Sequence, residues 1–227
     1  MRKLLWFLLS AVLLAACARQ ASAPCVTVAE QTLICGGDTL VEDIRMPVLS
    51  GFEDKSFEAS LNARIQSLIK AARQDAQVQA QIVQQWVEYV CVLTVDYDVK
   101  QNCGLFSMRL TCDLENGGTG FPQTVYFNAD IQKNALLMLD DLFVSEAYRE
   151  ALAVHITESV RGDERFSPED FLGIDEKTAF YTAEGRLYIA FAKYEIASGM
   201  TGEPVFEIPE KLIRDHVKPE YKEYLAL

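Results

Sequence analysis

The sequence predicts an α+β fold with antiparallel sheet and packed helices, and three observations carry that reading. Residues 86–99 (WVEYVCVLTVDYDV) and 104–112 (GLFSMRLTC) are rich in β-branched and aromatic residues and read as the two strands of a hairpin. Phe57, Leu61, Ile65, Leu68, Ile69 and Ala72 recur at helical spacing, which predicts an amphipathic helix from Ser56 to about Ala72. An Ala- and Gln-rich stretch could carry that helix on through Val78 and Ile82. Elsewhere strands and helices follow one another without the regular alternation of a parallel α/β sheet.

The chain opens with a basic start, MRK, and an apolar run from Leu4 to Leu14. At about 1.5 Å of rise per residue this run is too short to cross a hydrocarbon core of about 30 Å, and it has the proportions of an export signal. It ends in Leu14-Ala15-Ala16-Cys17, which resembles a bacterial lipobox, so residues 1–16 are expected to be removed and Cys17 to be acylated. The competing cleavage site, Ala21-Ser22-Ala23, is followed by Pro24, a poor residue for ordinary signal cleavage. Residues 17–24 then form a lipidated linker. The domain is expected to be tethered to a membrane through N-terminal acyl chains, on the periplasmic or extracellular face of the envelope.

The net charge is −12, and it deepens to −14 when Arg2 and Lys3 leave with the first 16 residues. Such a surface repels nucleic acid and anionic headgroups and attracts a cationic partner. No Cys-x-x-Cys spacing occurs, and His155 and His216 stand without ligand-like neighbours, so neither a metal nor another cofactor is expected.

Five cysteines remain once Cys17 is assigned to lipid, which in an exported chain suggests two disulfides and one thiol. A two-residue turn at Gln101-Asn102 places Tyr97 opposite Phe106, Val95 opposite Met108, and Cys91 opposite Cys112 on an apolar face. Asp96 and Thr94 face Ser107 and Arg109 on the other. A one-residue slip would mismatch both faces, so a Cys91–Cys112 disulfide is expected at a non-hydrogen-bonded pair. Cys25 and Cys35 bracket the alternating segment VTVAEQTLI and are expected to close a smaller hairpin, leaving Cys103 as the lone thiol.

The later elements are shorter. TVYFNAD leaves a glycine-rich stretch as a strand, and residues 136–143 (LLMLDDLF) form a short apolar piece ending in Asp140 and Asp141. Residues 145–160 read as a helix with Ala147, Leu152, His155, Ile156 and Val160 inward. Ser167-Pro168-Glu169-Asp170 has the form of a helix start. TAFYT and RLYIAFAKY flank Ala183-Glu184-Gly185 as a second hairpin, and PVFEI is a strand before a helix opened by Pro209.

Two groups of segments resemble known families. IRMPVLSGFEDKSFEASLNARI with the long hairpin resembles the domain of unknown function 4163. FNADIQKNALLMLDDLF and FYTAEGRLYIAFAKYEIASGMTGEPVFEIP resemble the domain of unknown function 3298. Together they are similar to the RsiV-type extracytoplasmic module, found in a lysozyme-sensing anti-sigma factor and beside some peptidoglycan deacetylases. The resemblance implies two interlocking α+β subdomains, placed here at residues 25–128 and 129–227, and no enzymatic activity of the module itself. These 227 residues show no catalytic deacetylase domain and no second long apolar run, so the expectation is the module alone on a lipid anchor.

The stretch Asn116-Gly117-Gly118-Thr119-Gly120-Phe121-Pro122-Gln123 is followed by a strand, not a helix, and no Lys-Ser/Thr pair closes it, which argues against a phosphate loop. In the resembled family this loop usually reads Gly-Gly-Ala-His; here Gly120 replaces the histidine, removing the motif's acid–base group. The stretch reads first as a strand connection needing positive φ, and second as a binding surface at Gly117, Gly118, Thr119 and Gly120. Tyr194 and Glu195, beside the SGMTG loop, are candidates for a ligand-contacting edge. The expected function is a non-enzymatic binding or sensing lipoprotein, with a cationic muramidase such as lysozyme or a peptidoglycan fragment as partner. The alternatives are a cell-wall hydrolase using carboxylates (Asp140 with Asp141, Glu169 with Asp170, or Glu195) and a structural lipoprotein without a small ligand.

Overall fold

The computed structural model describes residues 23–118 and 122–227. Export signal, Cys17, Thr119 and Gly120 lie outside the described residues.

The fold is α+β, with a six-stranded and a three-stranded sheet. The first sheet runs in chain order: β1 (Thr27–Gly36), β2 (Leu40–Ser50), β3 (Cys91–Gln101), β4 (Leu105–Glu115), β5 (Gln123–Asp130) and the two-residue β6 (Ala135–Leu136). Every pairing is antiparallel except β2–β3, which is parallel. The exception arises because α1 (Lys55–Val83) joins β2 to β3, and a long helix is the kind of crossover that returns a chain to a parallel neighbour. The second sheet comprises β7 (Phe180–Ala183), β8 (Arg186–Ala190) and β9 (Val205–Ile208), all antiparallel. Its hairpin turns at Glu184 and Gly185, with φ of 50° and 74°, the conformation a two-residue turn requires.

The helix α1 starts where Asp54 accepts hydrogen bonds from the amides of Ser56 (2.8 Å) and Phe57 (3.2 Å). It runs through the Ala/Gln stretch to Val83 and lays Leu61, Ile65, Ile69, Ala76 and Ala80 on the sheet. The first four pack with Ile44, Leu93, Val95, Phe106, Met108 and Phe127 to form one core. Arg73 fixes the middle of the helix by two 2.8 Å bonds to the buried Glu42 of β2.

A second core lies around α2 (Tyr148–Val160), β7–β9 and the short α3 (Glu210–Ile213). Leu152, Ile156 and Val160 point inward as the spacing predicts; Ala147 is exposed, because α2 begins one residue later with Tyr148 taking the buried position. Pro168–Asp170 makes a single 3-10 turn, and no longer helix follows. A polar seam joins the two cores. Ser107 Oγ donates to Asn128 Oδ1 (2.7 Å) and lies 3.0 Å from Thr182 Oγ1, while Asn128 Nδ2 donates to the Phe180 carbonyl (2.8 Å). All three side chains are buried and satisfied, which holds β7 to β4 and β5 in one register.

The disulfide pairing differs from expectation. Cys25 bonds Cys103, and Cys35, Cys91 and Cys112 are free. The β3–β4 faces are as expected, but the register is displaced by four: Val95 faces Cys112, Tyr97 faces Leu110 and Val99 faces Met108. Gly104, at φ +70°, widens the turn, and the Cys25 segment docks on it through Val26 N to Asn102 O (2.8 Å) and Gly104 N to Pro24 O (2.9 Å). Cys91 therefore lies four positions beyond the residue facing Cys112, out of disulfide reach. Cys25 and Cys35 do not close a hairpin, since residues 27–36 form one continuous strand that separates them.

Candidate functional site

The outward face of the long hairpin carries Thr94, Asp96 and Asp98 on β3 and Arg109, Thr111 and Asp113 on β4, as alternation from the apolar face requires. These six, with Tyr97, line a groove of about 290 Å³. It adjoins a cleft of about 660 Å³ that shares Arg109 and Asp113. One wall of the cleft is β4 and the glycine stretch (Glu115, Gly118, Pro122); the other is the β8–β9 connection (Lys193, Gly199–Thr201, Gly202, Glu203, Val205). The two glycine-bearing loops singled out in the sequence thus face each other across one opening.

Local physics explains each loop. Gly117 takes φ +81° against the ring of Tyr89, whose hydroxyl donates to Glu115 (3.0 Å), and the Gly118 amide donates to Asn116 Oδ1 (3.3 Å). Gly117 is therefore the positive-φ residue the connection needs. Tyr194, at φ +70°, lays its ring over Gly199 so closely that a Cβ there would overlap it. Glu195 accepts the Ala192 amide at 2.7 Å. Neither Tyr194 nor Glu195 lines the cleft; both shape the turn that brings Lys193 and the SGMTG loop to it.

The cleft and groove are lined by five carboxylates (Asp96, Asp98, Asp113, Glu115, Glu203) and two cations (Arg109, Lys193), with Arg45 and Lys100 pairing Asp96 and Asp98 from outside. Glu203 has only 10% of its side chain exposed. Thr124 donates to its Oε1, and Arg109 Nη2 stands 2.9 Å from its Oε2, an ion pair without hydrogen-bond alignment. Arg109 Nε and Asp113 Oδ1 are buried and lack any hydrogen-bond partner among the described residues. Burial, reinforced by Glu203 and opposed by Arg109, pushes the Tyr126 phenol beside them up to about 12, so it stays a neutral donor. Glu115 is the exposed carboxylate of this opening, and the atoms of Arg109 and Asp113 that lack a partner among the described residues lie buried behind it.

Three of the five carboxylates weighed for hydrolysis are engaged in local hydrogen bonds. Asp140 accepts from Tyr148 and Arg149, Asp141 accepts the Met138 amide, and Glu195 closes its own turn. Glu169 and Asp170 sit in the isolated 3-10 turn. His155 is half-buried on α2, and His216 follows α3. Among the described residues no group of three or more His, Cys, Asp or Glu is placed to hold a metal. Periodicity does not reveal Arg109, Asp113, Glu115 or Glu203 as a site. The one available signal is charge on the outer face of an otherwise apolar hairpin.

Residues 140–211 match a family model described as "Protein of unknown function (DUF3298)". The anti-sigma-V factor RsiV of Bacillus subtilis is 26% identical over 188 residues, covering 75% of this chain and 63% of that protein. The peptidoglycan-N-acetylmuramic acid deacetylase PdaC of the same organism is 25% identical over 201 residues, covering 84% of this chain and 42% of its own length. The chain thus spans less than two thirds of either relative. Solved DUF3298 structures from Bacteroides fragilis and Pseudomonas aeruginosa superpose with TM-scores of 0.60 and 0.56, each at 18% identity. They cover 88% and 87% of this chain and 96% and 95% of their own, a likeness of fold.

Proposed function

We propose that this chain, whose residues 140–211 carry a DUF3298 domain and which resembles the RsiV-type extracytoplasmic module, is a non-enzymatic binding or sensing module of the cell envelope. On this reading residues 25–128 and 129–227 are its two halves. Cys17 carries the acyl anchor, and the partner is a cationic protein such as a muramidase or an amine-bearing peptidoglycan fragment. The observation that carries the reading is the acidic cleft, where Asp113, Glu115 and Glu203 line one opening and a groove with Asp96 and Asp98 adjoins it. A cationic side chain entering there would meet the exposed carboxylate of Glu115 and would be attracted from a distance by the net charge.

The topology favours display away from an anchor. The Cys25–Cys103 link holds the start of the fold beside Leu105, while Asp113 and Glu115 lie at the far end of β4. At about 3.3 Å per strand residue the two ends are roughly 30 Å apart. Among the described residues no helix is long and apolar enough to cross a membrane. The test is calorimetric titration with lysozyme of the chain and of its Asp113→Asn/Glu115→Gln variant. The variant is expected to bind at least about tenfold more weakly, a loss of about 1.4 kcal/mol, while His155 and His216 substitutions leave affinity unchanged. Equal affinity in the charge-removed variant would overturn the assignment of the cleft.

A further inference from the structure

The sheet's other face carries a second, independent feature. The first half of α1 packs on the sheet with Leu61, Ile65 and Ile69, but the next turns present Ala71, Ala72, Ala76 and Ala80. Ala76 and Ala80 are buried against the sheet, but on the flank of the helix the methyls of Ala71 and Ala72 do not reach the strands as leucines would, and a cavity of about 470 Å³ opens beside them, next to Leu68. Its floor is Leu93, Cys112 and Leu114, the helix-facing side chains of β3 and β4. These alternate with Asp113 and Glu115, so the cavity and the acidic cleft lie on opposite faces of the same strands. The size falls within the ordinary range for small-ligand sites, about 300–1,000 Å³.

The rim defines the ligand. Gln79, Gln123 and Asn116 bring three carboxamides to the opening, and Asp75 brings the only charge. Among the described residues no hydrogen bond engages the side chains of Gln79, Gln123 or Asp75, and no cation lines the cavity. An anion would meet Asp75 and a chain of net charge −12. We infer that the alanine-lined cavity between α1 and the ends of β3, β4 and β5 is a second binding site. It takes a small uncharged or cationic amphiphile, whose apolar body rests on Leu93, Cys112 and Leu114 and whose polar end meets the carboxamide rim. Burial also pushes the Cys112 thiol up to about 11, which keeps it neutral and apolar as a floor.

Cys112 makes the site readable. The chain, detergent-free and with Cys25–Cys103 intact, is titrated with N-phenyl-1-naphthylamine, which is uncharged, and with the anionic 8-anilino-1-naphthalenesulfonate. Saturable fluorescence is expected from the first probe, and binding at least about tenfold weaker from the second. The uncharged probe should slow alkylation of Cys112 by iodoacetamide, run at alkaline pH because its neutral thiol reacts slowly, with Cys112 separated from Cys35 and Cys91 by peptide mapping. Ala72→Phe, which fills the cavity, should abolish probe binding; if that variant fails to fold, the Cys112 protection on the unsubstituted chain decides alone. No saturable binding, unchanged alkylation at probe saturation, equal affinity for the anionic probe, or full binding by a folded Ala72→Phe variant would each overturn the inference.

Discussion

Replacing Cys25 and Cys103 with serine tests how the N-terminal segment is joined to the body. The disulfide closes a loop of 78 residues. The chain-entropy relation gives about 4.5 kcal/mol of stabilisation for a loop of that length, through restriction of the unfolded ensemble. The junction also holds hydrogen bonds from Val26 N to Asn102 O, Gly104 N to Pro24 O and Asn102 Nδ2 to Val26 O, at 2.8, 2.9 and 3.1 Å. These keep the segment docked in the native state, so native geometry survives the substitution and the loss should be about 3–4.5 kcal/mol, or roughly 10 °C in Tm. Urea unfolding followed by circular dichroism measures it, with m-values compared because removing the link expands the denatured chain. A loss below about 1 kcal/mol would refute the entropic argument. A non-reducing peptide map joining Cys91 to Cys112 would refute the β3–β4 register itself. In that register Cys91 lies four strand positions, roughly 13 Å, past the residue that Cys112 faces, and disulfides span Cα atoms within about 7 Å.

Other outcomes follow from the same geometry. Gly104→Ala forces a side chain into φ +70° and into the Tyr224 ring, and should cost about 2–4 kcal/mol; adding Tyr224→Ala should restore the steric share. Asn128→Leu removes the donor to the Phe180 carbonyl and the Oδ1 acceptor of Ser107, which keeps only its Thr182 contacts in the buried seam, and should cost about 1–3 kcal/mol by chemical unfolding. Burial pushes the Asp140 carboxyl up, but bonds from Arg149 and Tyr148 outweigh it and hold it below the ordinary value. Its stabilisation is therefore full above the unfolded value of about 3.9 and is lost as pH falls through the lower folded value, so Asp140→Asn should flatten that part of the acid limb of a stability–pH profile.

The sequence makes some of this plain and hides the rest for identifiable reasons. The helix α1 is legible because Phe57 to Ala72 has one wet and one buried side. The faces of β3 and β4 are legible for the same reason. Their register is not: a slip of four keeps every residue on its face, so alternation that forbids a one-residue error cannot detect this one. Only the Gly104 turn and its dock with Cys25 decide it, and that contact spans 78 residues. The edge strand β1 is exposed along almost its whole length, so the VTVAEQTLI alternation carries no burial signal and invites a false turn. In the site, the glycine loops announce themselves through backbone demands. Arg109, Asp113 and Glu203 resemble ordinary surface charge until the fold sets β4 against the β8–β9 connection.

Capture of a cationic partner by the acidic cleft is tested most directly by a salt series. Lysozyme is titrated into the disulfide-intact chain at about 20 mM and about 300 mM ionic strength, between which the screening length falls from about 20 Å to below 10 Å. Saturable binding that weakens at the higher salt, and weakens further when Asp113 and Glu115 are neutralised, is the predicted result. Binding of equal strength at both salts, or no heat at either, would contradict electrostatic capture of a cationic partner by this cleft.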